Sequence, residues 1–189
     1  MTFLFSSLQQ KSKFPLRYRR LARMGIAFFV CLALLLVLTR QAFAYSLNGG
    51  RWSSSQISIG FYSSQQSYDR AGWVNGYNAW NNAHTHIHFS ANGGTLDVHD
   101  TYRSDVTWDG ITYVTINGFG YFTGVDAYLN YYYTQHYGSG TIQEVAAHEL
   151  GHSVGLGHVN SCVLMNPTTG SRCGNTPKQD DINGVNSLY

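Results

Sequence analysis

His148-Glu149-Leu150-Gly151-His152-Ser153-Val154-Gly155-Leu156-Gly157-His158 decides how this 189-residue chain is read. Residues four apart lie on one face of an α-helix, so His148 and His152 point the same way and can share a metal ion. Glu149, one position on, reaches a water at the metal without acting as a ligand. Gly155 lets the chain leave the helix through backbone angles that cost other residues energy, and the turn returns His158 as a third ligand. Three protein nitrogens leave one tetrahedral position open, which is the arrangement of a catalytic rather than a structural zinc site. With 8 His, 20 Gly and only two Glu in the chain, this spacing arises from composition alone with a probability on the order of 10⁻⁵.

These eleven residues resemble the signature of the metzincin clan of zinc peptidases, in which the three His bind zinc and the Glu is the general base. Met165, seven positions after His158 in Cys162-Val163-Leu164-Met165-Asn166-Pro167, looks like the clan's Met-turn, which sets a methionine beneath the metal. Asp180-Asp181-Ile182-Asn183-Gly184-Val185-Asn186-Ser187-Leu188-Tyr189 is similar to the closing helix of the matrixin branch. Val125-Asp126-Ala127-Tyr128-Leu129-Asn130 resembles the strand that precedes the zinc helix there.

The resemblance implies an α+β, metzincin-like zincin domain: a twisted mixed sheet with a long helix, a zinc-site helix and a C-terminal helix. It implies one catalytic zinc on His148, His152 and His158, and a protein or peptide substrate bound extended in a cleft. Zinc there would polarise the scissile carbonyl and acidify a water, and Glu149 would take that proton and pass it to the leaving amine. Pro167 stands where some branches place a Tyr, so zinc would carry the oxyanion largely alone. Val159 follows the third His where one small-domain branch has an acid, which sets the chain apart from that branch. By analogy with matrixins, the amine of a processed N-terminus pairs with Asp180 or Asp181.

The first 44 residues read as a secretory signal. A basic run (Lys11, Lys13, Arg17, Arg19, Arg20, Arg23) precedes the apolar stretch Met24 to Leu38, and Ala42-Phe43-Ala44 offers a small-x-small cleavage site, so cleavage is expected after Ala44. The alternative is a membrane anchor through residues 24–38; at 1.5 Å per residue that stretch spans roughly 22 Å, short of the ~30 Å hydrocarbon core. Cleavage removes seven basic residues and no acidic ones, leaving residues 45–189 with five basic against ten acidic side chains. The resulting negative charge offers no basic patch for nucleic acid. The expectation is a secreted, monomeric, single-domain protein.

Within that domain, Ile57, Ile59 and Phe61 alternate as in a half-buried strand. From Ser67 to Ala83 the spacing turns helical, with Ala71, Val74, Asn78 and Trp73, Tyr77, Trp80 recurring at three and four. His84 to Phe89 reads as a strand with His84, His86 and His88 on one face; imidazoles two apart on a strand sit ~7 Å from each other and do not converge on one ion. Thr95 to Val98, Gly110 to Thr115 and Val125 to Tyr133 read as further strands, and Gly118 to Gly124 as a candidate edge along the cleft. Thr141 and Glu144 are spaced as a capping box, and Ile142, Ala146, Leu150 and Val154 form the stripe that faces the core. Matrixins often carry calcium and a second zinc; their ligand pattern is not recognisable here, which leaves Asp97, Asp100, Asp105 and Asp109 as calcium candidates.

Cys31 leaves with the signal, so Cys162 and Cys173 remain as an even pair in an exported protein and are expected to form a disulfide. Arg172-Cys173-Gly174 superficially resembles the thiol switch of matrixin zymogens, but it follows the zinc helix and its Cys has a partner. The functional expectation is a secreted zinc-dependent endopeptidase. The alternative is a secreted zinc-containing module that binds peptides without cutting them, for which a retained general base would be superfluous.

Overall fold

A computed structural model describes residues 45–62 and 64–189. The signal, its cleavage point and the anchor alternative lie outside the described residues. In chain order the elements are β1 (Ser46–Leu47), β2 (Gln56–Phe61), α1 (Ser67–Asn82), β3 (His88–Ser90), β4 (Leu96–Thr101), β5 (Gly110–Ile116), β6 (Phe122–Asn130), α2 (Tyr131–Thr134), α3 (Ser139–Ser153), β7 (Leu156–Gly157) and α4 (Gln179–Asn186).

The architecture is α+β, as expected. Five strands form a mixed sheet in the order β3-β2-β4-β6-β5. The pairs β2/β3, β2/β4 and β4/β6 are parallel, and β5 is antiparallel to β6 at the edge. Parallel strands need crossovers, and α1 supplies the one from β2 to β3. Alternation sends Ile57, Ile59, Leu96, Val98, Val125, Ala127 and Leu129 to the covered face, each at most 2% exposed. β1 pairs with β7 in a separate antiparallel ribbon, Ser46 opposite Gly157.

Helices α1 and α3 pack on each other and against this face. The buried side of α1 is Asp69, Gly72, Trp73, Gly76, Ala79 and Trp80, a stripe at three and four that includes two glycines. The Trp73 and Trp80 spacing is borne out, whereas Val74 and Tyr77 are only half-buried and Ala71 and Asn78 are exposed. The missing side chains explain the difference. A methyl on Gly76 would lie 3.0 Å from the Ala147 backbone nitrogen, and one on Gly72 would collide with Ile142. The glycines therefore mark the closest approach of the two helices. On α3 the stripe Ile142, Ala146, Leu150 and Val154 is buried as expected.

Three local expectations are corrected. Helix α3 starts at Ser139 behind Gly138, with no side-chain cap; Thr141 is already inside the first turn, so Glu144 is free to face Arg172. The strand read at His84 to Phe89 shrinks to β3, because His84 adopts φ 54° in a turn. The edge of the sheet is β5, not the Gly118 to Gly124 stretch. That stretch holds a hairpin tip organised by the Asn117 side chain, which accepts the N–H groups of Phe119 and Tyr121. Phe119 stands out at 89% exposure while Phe122 turns inward, meeting the Trp52 ring edge-on at 5.5 Å.

Candidate metal centre

Helix α3 carries His148 and His152 one turn apart, and the turn through Gly155, at φ 105°, leads into β7 and on to His158. The three Nε2 atoms lie 3.0–3.1 Å from one another. Nitrogens at the usual ~2.0–2.1 Å around a tetrahedral zinc stand ~3.3 Å apart, so the triangle fits such an ion. Each helical ring is held through its other nitrogen: Nδ1 of His148 lies 2.8 Å from the Leu164 carbonyl, and Nδ1 of His152 lies 2.8 Å from the Leu156 carbonyl. A carbonyl only accepts, so both Nδ1 atoms carry the proton and both Nε2 atoms keep their lone pairs for the metal.

Electrostatics agree with a metal-ready site. Burial pushes His148 well below its usual pKa, with His152 and Arg172 adding to the effect. Burial likewise brings His152 down to about 4, and lowers His158. Neutral imidazoles are the form that ligates. Among the described residues these three His are the one group of three or more metal-ligating side chains close enough to share an ion.

Glu149 is 4% exposed and lies under strand β5. Its Oε2 accepts the Thr112 hydroxyl at 2.7 Å, and Gly110 leaves it room, since a methyl there would sit 2.7 Å from Oε1. Burial raises the Glu149 carboxyl to about 8, with the Thr112 hydrogen bond opposing.

Met165 is 2% exposed, and its sulfur packs against Gly151, where an added methyl would lie 2.3 Å from it. The turn is fixed from α4: Asp181 accepts the N–H groups of Leu164 at 3.0 Å, Met165 at 3.2 Å and Lys178 at 2.7 Å. Cys162 and Cys173 are joined, with Cα atoms 5.0 Å apart. Arg172, next to the bridge, is buried, donates from Nε to the Asn166 carbonyl at 2.8 Å and sits 3.6 Å from Glu144.

The expected residues therefore gather: His148, Glu149, His152 and His158 line one centre, Met165 packs on Gly151 of helix α3, and Cys162–Cys173 and Asp181 hold the turn that contains Met165. The calcium candidates do not gather. Asp105 forms an ion pair with Arg103 at 2.7 Å, Asp100 accepts the Gln66 N–H, and Asp109 lies in the cleft. His84, His86 and His88 form no metal-binding group either. Residue reasoning missed the cleft walls. A cavity of about 690 Å³ opens over the His cluster, walled by Asn48, Asp109, Thr112, Tyr137, Thr169 and Arg172 among others. These come from four separate stretches of chain, and no local spacing announces them. The Asn48 amide donates to the His152 carbonyl at 2.8 Å, fixing the N-terminal segment to the end of the zinc helix.

The matrixin peptidase family matches residues 39–189. No match was found among the curated proteins. Among solved structures, that of myroilysin is similar at 16% identity, covering 65% of this chain and 58% of that one, with a TM-score of 0.42. The chain thus aligns with under two thirds of that protein's length.

Proposed function

This chain belongs to the matrixin family of zinc metallopeptidases, and on that premise we propose that it is a secreted endopeptidase with His148, His152 and His158 as zinc ligands and Glu149 as general base. The carrying observation is the triangle of Nε2 atoms at 3.0–3.1 Å with the Glu149 carboxyl group beside it in an open cleft. A bound zinc ion supplies Lewis acidity at the position the protein leaves open.

The chain's own groups do the rest. Glu149 accepts a proton from the attacking water and delivers it to the leaving amine. Thr112 holds Oε2, which leaves Oε1 for that proton. Strand β5 offers its outer edge for backbone hydrogen bonds to an extended peptide, the usual way an open sheet edge captures a strand. Export rests on residues 1–44. The amine freed at Tyr45 is proposed to pair with Asp180 or Asp181. One extra residue before Tyr45 should then lower the melting temperature, and an unchanged value rejects the pairing.

The deciding experiment is casein or gelatin digestion by the expressed protein, with and without a zinc chelator, beside Glu149→Ala. Zinc should remain bound in the variant while activity falls by about 10²–10⁴-fold. Equal activity in variant and wild type would refute the mechanism. A zinc-loaded wild type that binds peptides and cuts none would instead be a binding module.

A further inference from the structure

Resting on the peptidase reading above, we infer that the pocket on the Glu149 side of the metal centre selects substrates whose residue after the scissile bond is cationic, with Asp109 as the specificity-determining group. The direction follows from the chemistry: Glu149 must reach the leaving amine, so the half of the substrate that carries this amine lies on the Glu149 side. Its first side chain enters the cavity there, between the start of β5 and the loop after the Met-turn.

Two groups charged at neutral pH, other than Glu149 and the three His, line that cavity, Asp109 and Arg172. Arg172 is turned away from a ligand. Its side chain is only 2% exposed and Glu144 lies 3.6 Å from it, so its charge is matched inside the wall, where Asp109 attracts it as well. Asp109 is different. It is half-buried, and the hydroxyls of Tyr137 at 3.2 Å and Thr169 at 2.7 Å both donate to its Oδ2. Those two donors fix the carboxylate through Oδ2, and among the described residues its Oδ1 takes part in no hydrogen bond. Among the described residues no Lys, Arg or His nitrogen stands within ion-pair distance of it.

A half-buried anion held in place, whose nearest cation, Arg172, lies beyond ion-pair distance and is shared with Glu144, leaves the wall with two carboxylates to one guanidinium and is a socket for an ammonium or guanidinium group. The Tyr137 ring in the same wall suits the methylene stem of Lys or Arg. An acidic side chain would meet like charge at the same place.

The test uses quenched fluorescent peptides identical except for Arg, Lys, Leu or Glu after the scissile bond, with product masses locating the cut. The Arg and Lys peptides should show kcat/KM at least tenfold above Leu and Glu. Asp109→Asn, which keeps the shape and an acceptor, should remove that advantage while leaving the Leu peptide within about twofold. Should that variant misfold, the wild-type advantage of Arg over Leu still has to shrink with rising ionic strength. A preference for Leu overturns the inference alone; a preference for Glu overturns it and assigns the pocket to Arg172. Equal loss on all peptides in Asp109→Asn also overturns it, whereas failure of the wild type to cut any peptide removes the peptidase reading with it.

Discussion

Asp181 and His148 grip the same residue from opposite sides. The Asp181 carboxylate accepts the Leu164 N–H at 3.0 Å, and the Leu164 carbonyl faces the His148 ring nitrogen at 2.8 Å. The orientation of a ligand on helix α3 is thereby tied, through one peptide residue, to the first turn of helix α4. Asp181 is 2% exposed, so water cannot take its place.

Asp181→Ala should consequently act at a distance. It orphans three backbone N–H groups, at a cost of about 1–3 kcal/mol for each one that stays buried. Loss of outer support for a ligand typically weakens metal affinity by about 10–100-fold. Denaturant unfolding and competition against a chromogenic chelator measure the two effects. An unchanged zinc affinity would show that the Met-turn holds His148 without help from α4.

Gly76→Ala tests the helix contact behind the site. The new methyl would stand 3.0 Å from the Ala147 nitrogen and 3.3 Å from Ala146 and Ala147 backbone carbons, so α1 and α3 must separate. The Trp80 indole, which donates to the Ala147 carbonyl at 2.8 Å, would be pulled from its acceptor. A loss of about 1–3 kcal/mol is expected from overpacking, against almost none for Gly118→Ala, where nothing lies within 4 Å. Equal melting temperatures for the two variants would contradict the tight crossing.

The bridge Cys162–Cys173 closes a loop of sequence separation 11, around the Met-turn and the Arg172 wall. In the chain-entropy model a loop of that size is worth about 3 kcal/mol. Cys162→Ser with Cys173→Ser should lower stability by that amount and loosen the cleft wall, raising KM more than it lowers kcat. A double variant as stable as wild type would mean that Asp181 and the Arg172–Glu144 pair hold the loop unaided.

The metal centre was legible because helix periodicity puts His148 and His152 in register with Glu149 one position on, and Gly155 marks where the chain must turn. The sheet's covered strands were legible through alternation, as at Ile57 and Ile59. Other parts depended on contacts between distant segments. Gly72 and Gly76 look like gaps in an apolar stripe until α3 is seen against them. Glu144 looks like a cap until Arg172, 28 positions later in the chain, is found opposite it. The edge of the sheet could not be read locally, because β5 and the aromatic hairpin tip both carry β-forming residues and only pairing order shows which strand lies outermost.

Asp69 carries the last prediction. It is fully buried on α1, with neither carboxylate oxygen in a hydrogen bond of good geometry. Burial raises it to about 7, with Thr134 opposing and Asp100 adding to the rise; burial also raises Asp100 to about 6, against the Gln66 N–H. An acid with a raised folded pKa binds its proton more tightly folded than unfolded. Its contribution is therefore complete below the unfolded value near 4 and is lost as pH rises through 6 to 7. For Asp69 a rise from 3.8 to about 7 corresponds to at most about 4 kcal/mol. Asp69→Asn removes this dependence, so its stability relative to wild type should increase between pH 4 and pH 8. The comparison belongs in zinc-free protein at each pH, where the His contributions cancel between the two chains. A difference that stays constant across that range would mean that Asp69 is ionised in the folded state with its charge compensated.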